Sequence, residues 1–344
     1  MSTLKVDGIR SNSATSDAIT LADNGTCTAN ITNNLSNRNK IINGGMQIFQ
    51  RGYPIADIGN SNGYFAADRY RFSQSGSGRF TISQSTDTPN GFGSSMKVDV
   101  TTANASPSAG NYIFFQHRIE GQNVQDFAKG SSDAKQYALS FHVKSPKTGV
   151  HCMELEDVQN GRSCSKSYTV NSANTWEKKT IIFPADTTGA ITNDNANRFQ
   201  LYIWLMAGTT YTSGTLATTW ASTTSANRAV GQVNLIDNTS NDFFLTGVQL
   251  EVGSVATDFE HRSYGDELRR CQRYFFYDGT GRYHYANYSE EHYHFPVTLR
   301  ANPTVTLVEV PSGGSVNRPR PNWVTITGMG NNNGNISVKA DAEL

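Results

Sequence analysis

FFLTGVQLEVGSVATDFEHRSYGDELRRCQRYFF, residues 243–276, changes its period halfway along. In the first part, Phe244, Thr246, Val248 and Leu250 alternate with Phe243, Leu245, Gln249 and Glu251, which is the two-residue repeat of a strand. Gly253 ends that strand. From Asp266 the apolar residues Leu268, Cys271 and Phe275 recur at spacings of three and four, as on one face of a helix. The stretch therefore predicts a strand that completes a β-sandwich, a short basic loop, and a helix that begins something new.

Outward from there the composition agrees. Of 344 residues only 17% are charged, and the polar remainder is rich in Ser, Thr, Asn and Gly, so many short strands with polar turns are expected. Lys plus Arg equals Asp plus Glu at 29 each, which leaves no global field to draw the chain to nucleic acid or anionic lipid. No apolar run approaches the roughly 20 residues of a membrane helix, and residues 1–30 lack the pattern of a signal peptide, so synthesis in a cytoplasm is expected. Cys27, Cys152, Cys164 and Cys271 show no metal-binding spacing and read as free thiols. A two-residue turn at Asn160-Gly161 would set Cys164 opposite Asp157 and Cys152 opposite Thr169.

Taken in order, residues 1–38 are short of aromatics and carry small apolar pairs such as Leu4/Val6, too little to fold alone. About ten strand-like runs follow between Asn39 and Val252 without helical patterns between them, which favours an antiparallel two-sheet jelly roll. Residues 278–344 hold a further strand group, marginal by itself and helped by oligomerisation. The resulting plan is an arm over 1–38, a jelly-roll sandwich over 39–262, a helical neck over 263–277 and a small β tip over 278–344.

Several of these runs together resemble the tail fibre proteins of tailed bacteriophages, especially short-tailed marine phages. The runs are NKIINGGMQIFQRG (39–52), AADRY (66–70), NTWEKKT (174–180), LTGVQLEVG (245–253) and ELRRCQRY (267–274), and STLKVDGIR (2–10) resembles the virion-proximal arm of the same group. The pattern usually has Trp where Phe49 and Tyr70 stand here. The resemblance implies a homotrimeric virion fibre whose central domain is like a carbohydrate-binding-module jelly roll. Its arm, with Leu4, Val6 and Ile9, would dock to a phage tail or adaptor protein, and its tip would attach to a host surface glycan. The helix stripe of Leu268, Cys271 and Phe275 suits a three-helix neck, with those side chains on the trimer axis.

Three constellations carry candidate chemistry. Tyr283, Tyr285, Tyr288, Tyr293 and Trp323 at the tip, and Tyr211 and Trp220 on the sandwich, could stack on pyranose rings; core packing or a subunit contact is the blander role for each. His292 and His294 share a strand face near His284, so three copies around an axis would offer six imidazoles to a transition metal; exposed strand histidines beside Glu290 and Glu291 are the blander reading. Glu154 and Glu156, two apart on one strand face, are the pair a glycosidase would need, against a solvated strand face otherwise. No nucleophile elbow, P-loop, zinc-protease motif or long repeat is present, so a binding fibre is expected over an enzyme.

Overall fold

A computed structural model of the chain describes residues 6–12, 15, 17–21, 23, 27–29, 36–52, 54–65, 67–285, 290–329 and 332–344. The fold is mainly β, and its body is two antiparallel sheets. One has six strands, in the order Glu177–Phe183, Tyr137–Lys144, Asp242–Val252, Ser95–Thr102, Arg79–Ser85, Ile55–Ile58. The other has seven, in the order Ala221–Ser222, Arg162–Val170, Gly149–Asp157, Asn197–Ala207, Tyr112–Glu120, Tyr70–Ser75, Asn62–Tyr64. From Tyr112 onward the chain crosses between sheets at nearly every step, the jelly-roll manner of joining antiparallel strands.

Alternation fills the space between the sheets. Phe80, Ile82, Val98 and Phe141 from one sheet meet Phe72, Phe115, Leu155, Leu201 and Ile203 from the other, all buried in one continuous core. Each such side chain contributes about 1.5–3 kcal/mol by leaving water, which is why this body can carry the rest. The Asp242–Val252 strand lies in the interior of its sheet and departs from simple alternation. Phe243 and Leu245 point into the core, and then Val248 and Leu250 do, so the phase switches between them. Gly247, at φ +63°, absorbs the switch, and its neighbour strand shifts register between Ser140 and His142. The face division expected from the sequence therefore holds only after the bulge.

The turn around Asn160 is also longer than expected. Asp157 pairs with Arg162, Leu155 with Cys164 and Cys152 with Ser167, so residues 158–161 form the loop. Cys152, Cys164 and Cys271 are free and buried.

Four of the quoted fibre-like runs meet at one joint. The Asn39 side chain receives Leu250 N at 3.1 Å and donates to Val248 O at 3.1 Å. Asn43 Oδ1 accepts from Gln47 N and Ile48 N, while its Nδ2 donates to Ile48 O and Asp68 O, closing the 43–48 turn onto the loop before the Tyr70 strand. Gly44 has to be glycine because a Cβ there would stand 2.1 Å from Val248 O. Gln50 donates to Asp68 and, at 2.8 Å, to Phe275 O. The Arg51 guanidinium lies 3.7 Å over the Phe275 ring.

This joint also holds the helix. The helix spans Tyr264–Gln272, capped by the Ser263 side chain, and Asn43 N donates to its Glu267 carboxylate. Cys271 is fully buried against the sandwich and Phe275 is buried in the following strand, Phe275–Tyr277, under Arg51. Two of the three residues assigned to a trimer axis, Cys271 and Phe275, are thus packed inside the chain, and Leu268 is half-buried. The neighbours of Cys271, Asp68 to Tyr70, lie two hundred residues earlier in the sequence.

After the helix the chain forms two small antiparallel sheets. Gly334–Asp341 pairs with Phe275–Tyr277, Arg282–His284 and Thr304–Glu309, and Trp323–Thr327 pairs with Glu290–His294 and Ser315–Asn317. They share a second hydrophobic cluster that includes Tyr293, Phe295, Val324, Ile326, Ile336 and Val338. Near the start of the chain, Gly8–Ile9, Ile19–Leu21 and Cys27–Ala29 make a three-stranded meander. Val6, Ile9 and Leu21 are exposed on or beside it, and Leu4 lies outside the described residues.

Candidate functional site

The Arg282–His284 and Glu290–His294 strands frame a cleft of about 300 Å³ lined by Tyr283, His284, Tyr285, Glu290, Glu291 and His292. Tyr283 and Tyr285 are 55% and 66% exposed, and their rings meet edge to face at 5.1 Å, so each keeps a ring face open to solvent. Between them in sequence, His284 turns inward and is buried. Its Nδ1 is 2.8 Å from Glu291 Oε2, and its Nε2 has no hydrogen-bond partner among the described residues. His292 stands on the rim with Nε2 3.7 Å from Glu290 and its ring edge-on to Trp323 at 5.2 Å. The cleft thus joins two apolar ring faces, two carboxylates and two imidazoles, with no Lys or Arg in its lining. Rings of this kind cover the apolar face of a sugar, while carboxylates and imidazole nitrogens take its hydroxyls.

The sequence candidates divide accordingly. Tyr283, Tyr285 and His292 come together at the cleft, and Trp323, outside its lining, packs against the His292 ring. Tyr288 lies outside the described residues. Tyr293 is a correction: it is fully buried in the second cluster with its hydroxyl on Asp278, so it cannot touch a receptor. Alternation along Glu290–His294 explains this, because His292 and His294 face outward and force Tyr293 inward. His284 and Glu291 were missed as cleft residues.

His292 and His294 are both exposed, and His292 Nδ1 contacts Thr325 Oγ1 at 3.3 Å. Among the described residues no group of three His, Cys, Asp or Glu side chains is placed to hold a metal ion, so a metal here would need ligands from further copies of the chain.

On the sandwich, Glu154 is neither a solvated residue nor a free acid. It is fully buried on the outer face of the seven-stranded sheet, where Arg228 Nε holds both carboxylate oxygens at 2.9 and 3.1 Å and Trp204 Nε1 donates at 3.1 Å. Burial pushes its pKa up to about 7 against the pull of Arg228. Glu156 accepts from Gln200 at 2.8 Å and stands 3.6 Å from Arg228. Both carboxylates are occupied by the chain itself. Arg228 in turn lies 4.6 Å over Tyr202, so the loop that carries it is fastened to the sheet. Trp220 is buried, with Nε1 donating to Pro184 O at 2.8 Å, and Tyr211 packs half-buried against Tyr112 and Trp204. Neither offers a free ring face.

Comparison with known proteins gives no matching family model and no matching curated protein. Among solved structures, the chain is similar to the enzymatically active domain of tailspike protein 4 from bacteriophage CBA120. The identity is 15% and the TM-score 0.34, over 63% of this chain and 22% of that one. It is also similar to TmCBM61 in complex with β-1,4-galactotriose, at 9% identity and TM-score 0.33, over 63% of this chain and 99% of that one. A putative sugar-binding protein from Bacteroides thetaiotaomicron matches at 12% identity and TM-score 0.32, over 62% of this chain and all of that one. The chain therefore spans about a fifth of the tailspike's length, and every one of these scores is below 0.5.

Proposed function

We propose that this chain is a structural fibre subunit of a phage virion that attaches to a host surface by binding a glycan in the cleft between Tyr283 and His292. One observation carries the reading: two tyrosine rings are held exposed, side by side, over a cleft of polar acceptors. Leaving two large rings in water forgoes about 1.5–3 kcal/mol each relative to burial, a cost that a pyranose stacked on them would offset.

The fibre binds without cleaving, a reading supported by Arg228, Trp204 and Gln200 holding the carboxylates of the candidate pair Glu154 and Glu156. It assembles as a homotrimer through its N-terminal region and docks there to a tail or adaptor protein. Exposed Val6, Ile9 and Leu21 on a meander outside the hydrophobic clusters support this. Retention of the full chain on a panel of bacterial surface polysaccharides tests the function. Retention on at least one of them that is lost in Tyr283→Ala/Tyr285→Ala is expected; retention on none, or retention unchanged by the two substitutions, would contradict the reading.

A further inference from the structure

A second surface, on the seven-stranded sheet, has a different chemistry from the tip. Along Tyr112–Glu120, Ile113 and Phe115 point into the core while Tyr112, Phe114, Gln116 and Arg118 point out. Tyr112 and Phe114 stack at 5.0 Å with their planes 16° apart, and Tyr211 stands edge-on to Tyr112 at 5.8 Å as a side wall. Both rings are half-buried, packed with Tyr202 and Trp204 in a third hydrophobic cluster, and the exposed part of the pair forms an apolar step on the sheet.

Beside that step two guanidinium groups converge. Arg71 lies directly across from Gln116 in the register of the Tyr70–Ser75 strand. Arg71 Nη1 donates to Gln116 Oε1 at 2.9 Å, and Arg118 Nη2 approaches the same oxygen at 3.4 Å. Arg118 Nη1 also donates to the carbonyl oxygen of Leu344, and Arg71 to Ser73 Oγ. The acceptors of Arg71, Gln116 Oε1 and Ser73 Oγ, are neutral amide and hydroxyl oxygens. Among the described residues no Asp or Glu side chain pairs with either arginine, whereas the neighbouring Arg69, Arg51 and Arg228 each have a carboxylate. Arg118 Nε is buried with no partner. Burial, and then the Arg118 charge, hold the Arg71 pKa below its ordinary value, as expected of two like charges brought together.

We infer that this face binds an acidic saccharide, with the sugar ring on the Tyr112–Phe114 step and its carboxylate on Arg71 and Arg118. Phe114 and Gln116 are two residues apart on one strand face, roughly 7 Å, so the step and the cations lie within reach of one or two sugar units. A planar carboxylate matches the guanidinium fork, and charge-assisted hydrogen bonds of this type are about twice as strong as neutral ones. The tip cleft, lined by Glu290 and Glu291, repels such a ligand. The two surfaces would therefore read different sugars.

The test is calorimetric titration of the full chain with trigalacturonate and with α2,8-linked trisialate, each compared with its methyl ester, at low and at high ionic strength. At least one acid should bind, its ester about tenfold or more weaker, with the preference shrinking as salt rises. Arg71→Gln should bring the acid down to the level of the ester, Arg71→Lys should keep part of the preference, and Tyr112→Ala should weaken acid and ester together. Tyr283→Ala/Tyr285→Ala should change nothing here, which separates this site from the tip. Failure of both acids to bind, equal affinity for acid and ester, or a preference that survives Arg71→Gln would overturn the inference. Failure of this kind would leave glycan binding at the tip untouched.

Discussion

The Arg69 guanidinium lies 3.4 Å over the ring of Tyr274 and pairs with the Glu343 carboxylate, with the arginine itself fully buried at φ +73°. One side chain from the sandwich thereby fixes both the segment after the helix and the last residues of the sequence. Arg69→Ala should cost about 3 kcal/mol, the low end for breaking a buried pair, because Glu343 keeps only its 3.2 Å contact with Arg51 and the stacking on Tyr274 is lost. Urea denaturation checks this; a loss below about 1 kcal/mol, the level of an exposed ion pair, would mean that the joint is not what holds the two parts together.

Gly247 should resist substitution for a related reason. A Cβ there would lie 2.6 Å from the Phe92 ring and 2.9 Å from His142 Nδ1, at a φ that side chains rarely adopt. Gly247→Ala should destabilise by more than about 1 kcal/mol, and Gly93→Ala, with open space around it, by less. Equal midpoints of thermal melting for the two variants would contradict the bulge.

How stability responds to acid follows from two buried imidazoles. His117 Nε2 accepts from Ile42 N at 3.3 Å, and burial holds its pKa well below the ordinary value; burial likewise lowers that of His151 to about 4. The unfolded chain takes up these protons near pH 6.5, the folded one only at much lower pH, so this contribution is complete above about 6.5 and is lost as pH falls toward 4. Glu154 and Asp68, both raised to about 7 by burial, act in the opposite sense over the same window. The comparison therefore has to be between variants: His117→Gln/His151→Gln should lose less stability than the parent between pH 7 and pH 5. An identical loss would show that the imidazoles are not the groups responsible.

Within the tip, stability and binding should separate. Tyr293→Phe removes the hydroxyl bound to Asp278, costing about 1 kcal/mol because the half-buried carboxylate keeps its Thr280 and Gly281 donors, and should leave glycan binding intact. Tyr285→Ala, at an exposed ring, should do the reverse. Melting curves and polysaccharide retention of the two proteins form the check, and a binding loss in Tyr293→Phe would count against the cleft.

Light scattering tests the assembly. The full chain should have three times the 37.6 kDa mass of one subunit, and removal of residues 1–36 should reduce it to one. Mass unchanged by that removal would relocate the trimer contact, and a monomeric full chain would remove the trimer altogether.

What the sequence revealed, and what it hid, follows from range. Alternation in Lys178–Phe183, Met96–Val100 and Tyr112–Ile119 is local, and it named the strands and the sandwich correctly. The phase change at Gly247 was invisible because a bulge needs its partner strand to be recognised. The helix stripe was read as a neck because the neighbours of Cys271, Asp68 and Arg69, stand far away in sequence. At the tip the exposed tyrosines were legible as a crowded aromatic run. The same alternation that put His292 and His294 outside already required Tyr293 to be inside. Glu154 reads as a charged strand residue until Arg228, seventy-four positions on, is seen to hold it. Four of the runs quoted from the sequence contact each other at the joint between the two parts, and none of those four lines the cleft.

The most direct measurement is the ring resonances of the tyrosines during titration of the full chain with a polysaccharide that retains it. Shifts concentrated on Tyr283 and Tyr285, with Tyr293 unmoved, are the predicted result. Shifts that spare Tyr283 and Tyr285 while other rings move would contradict the cleft as the attachment site.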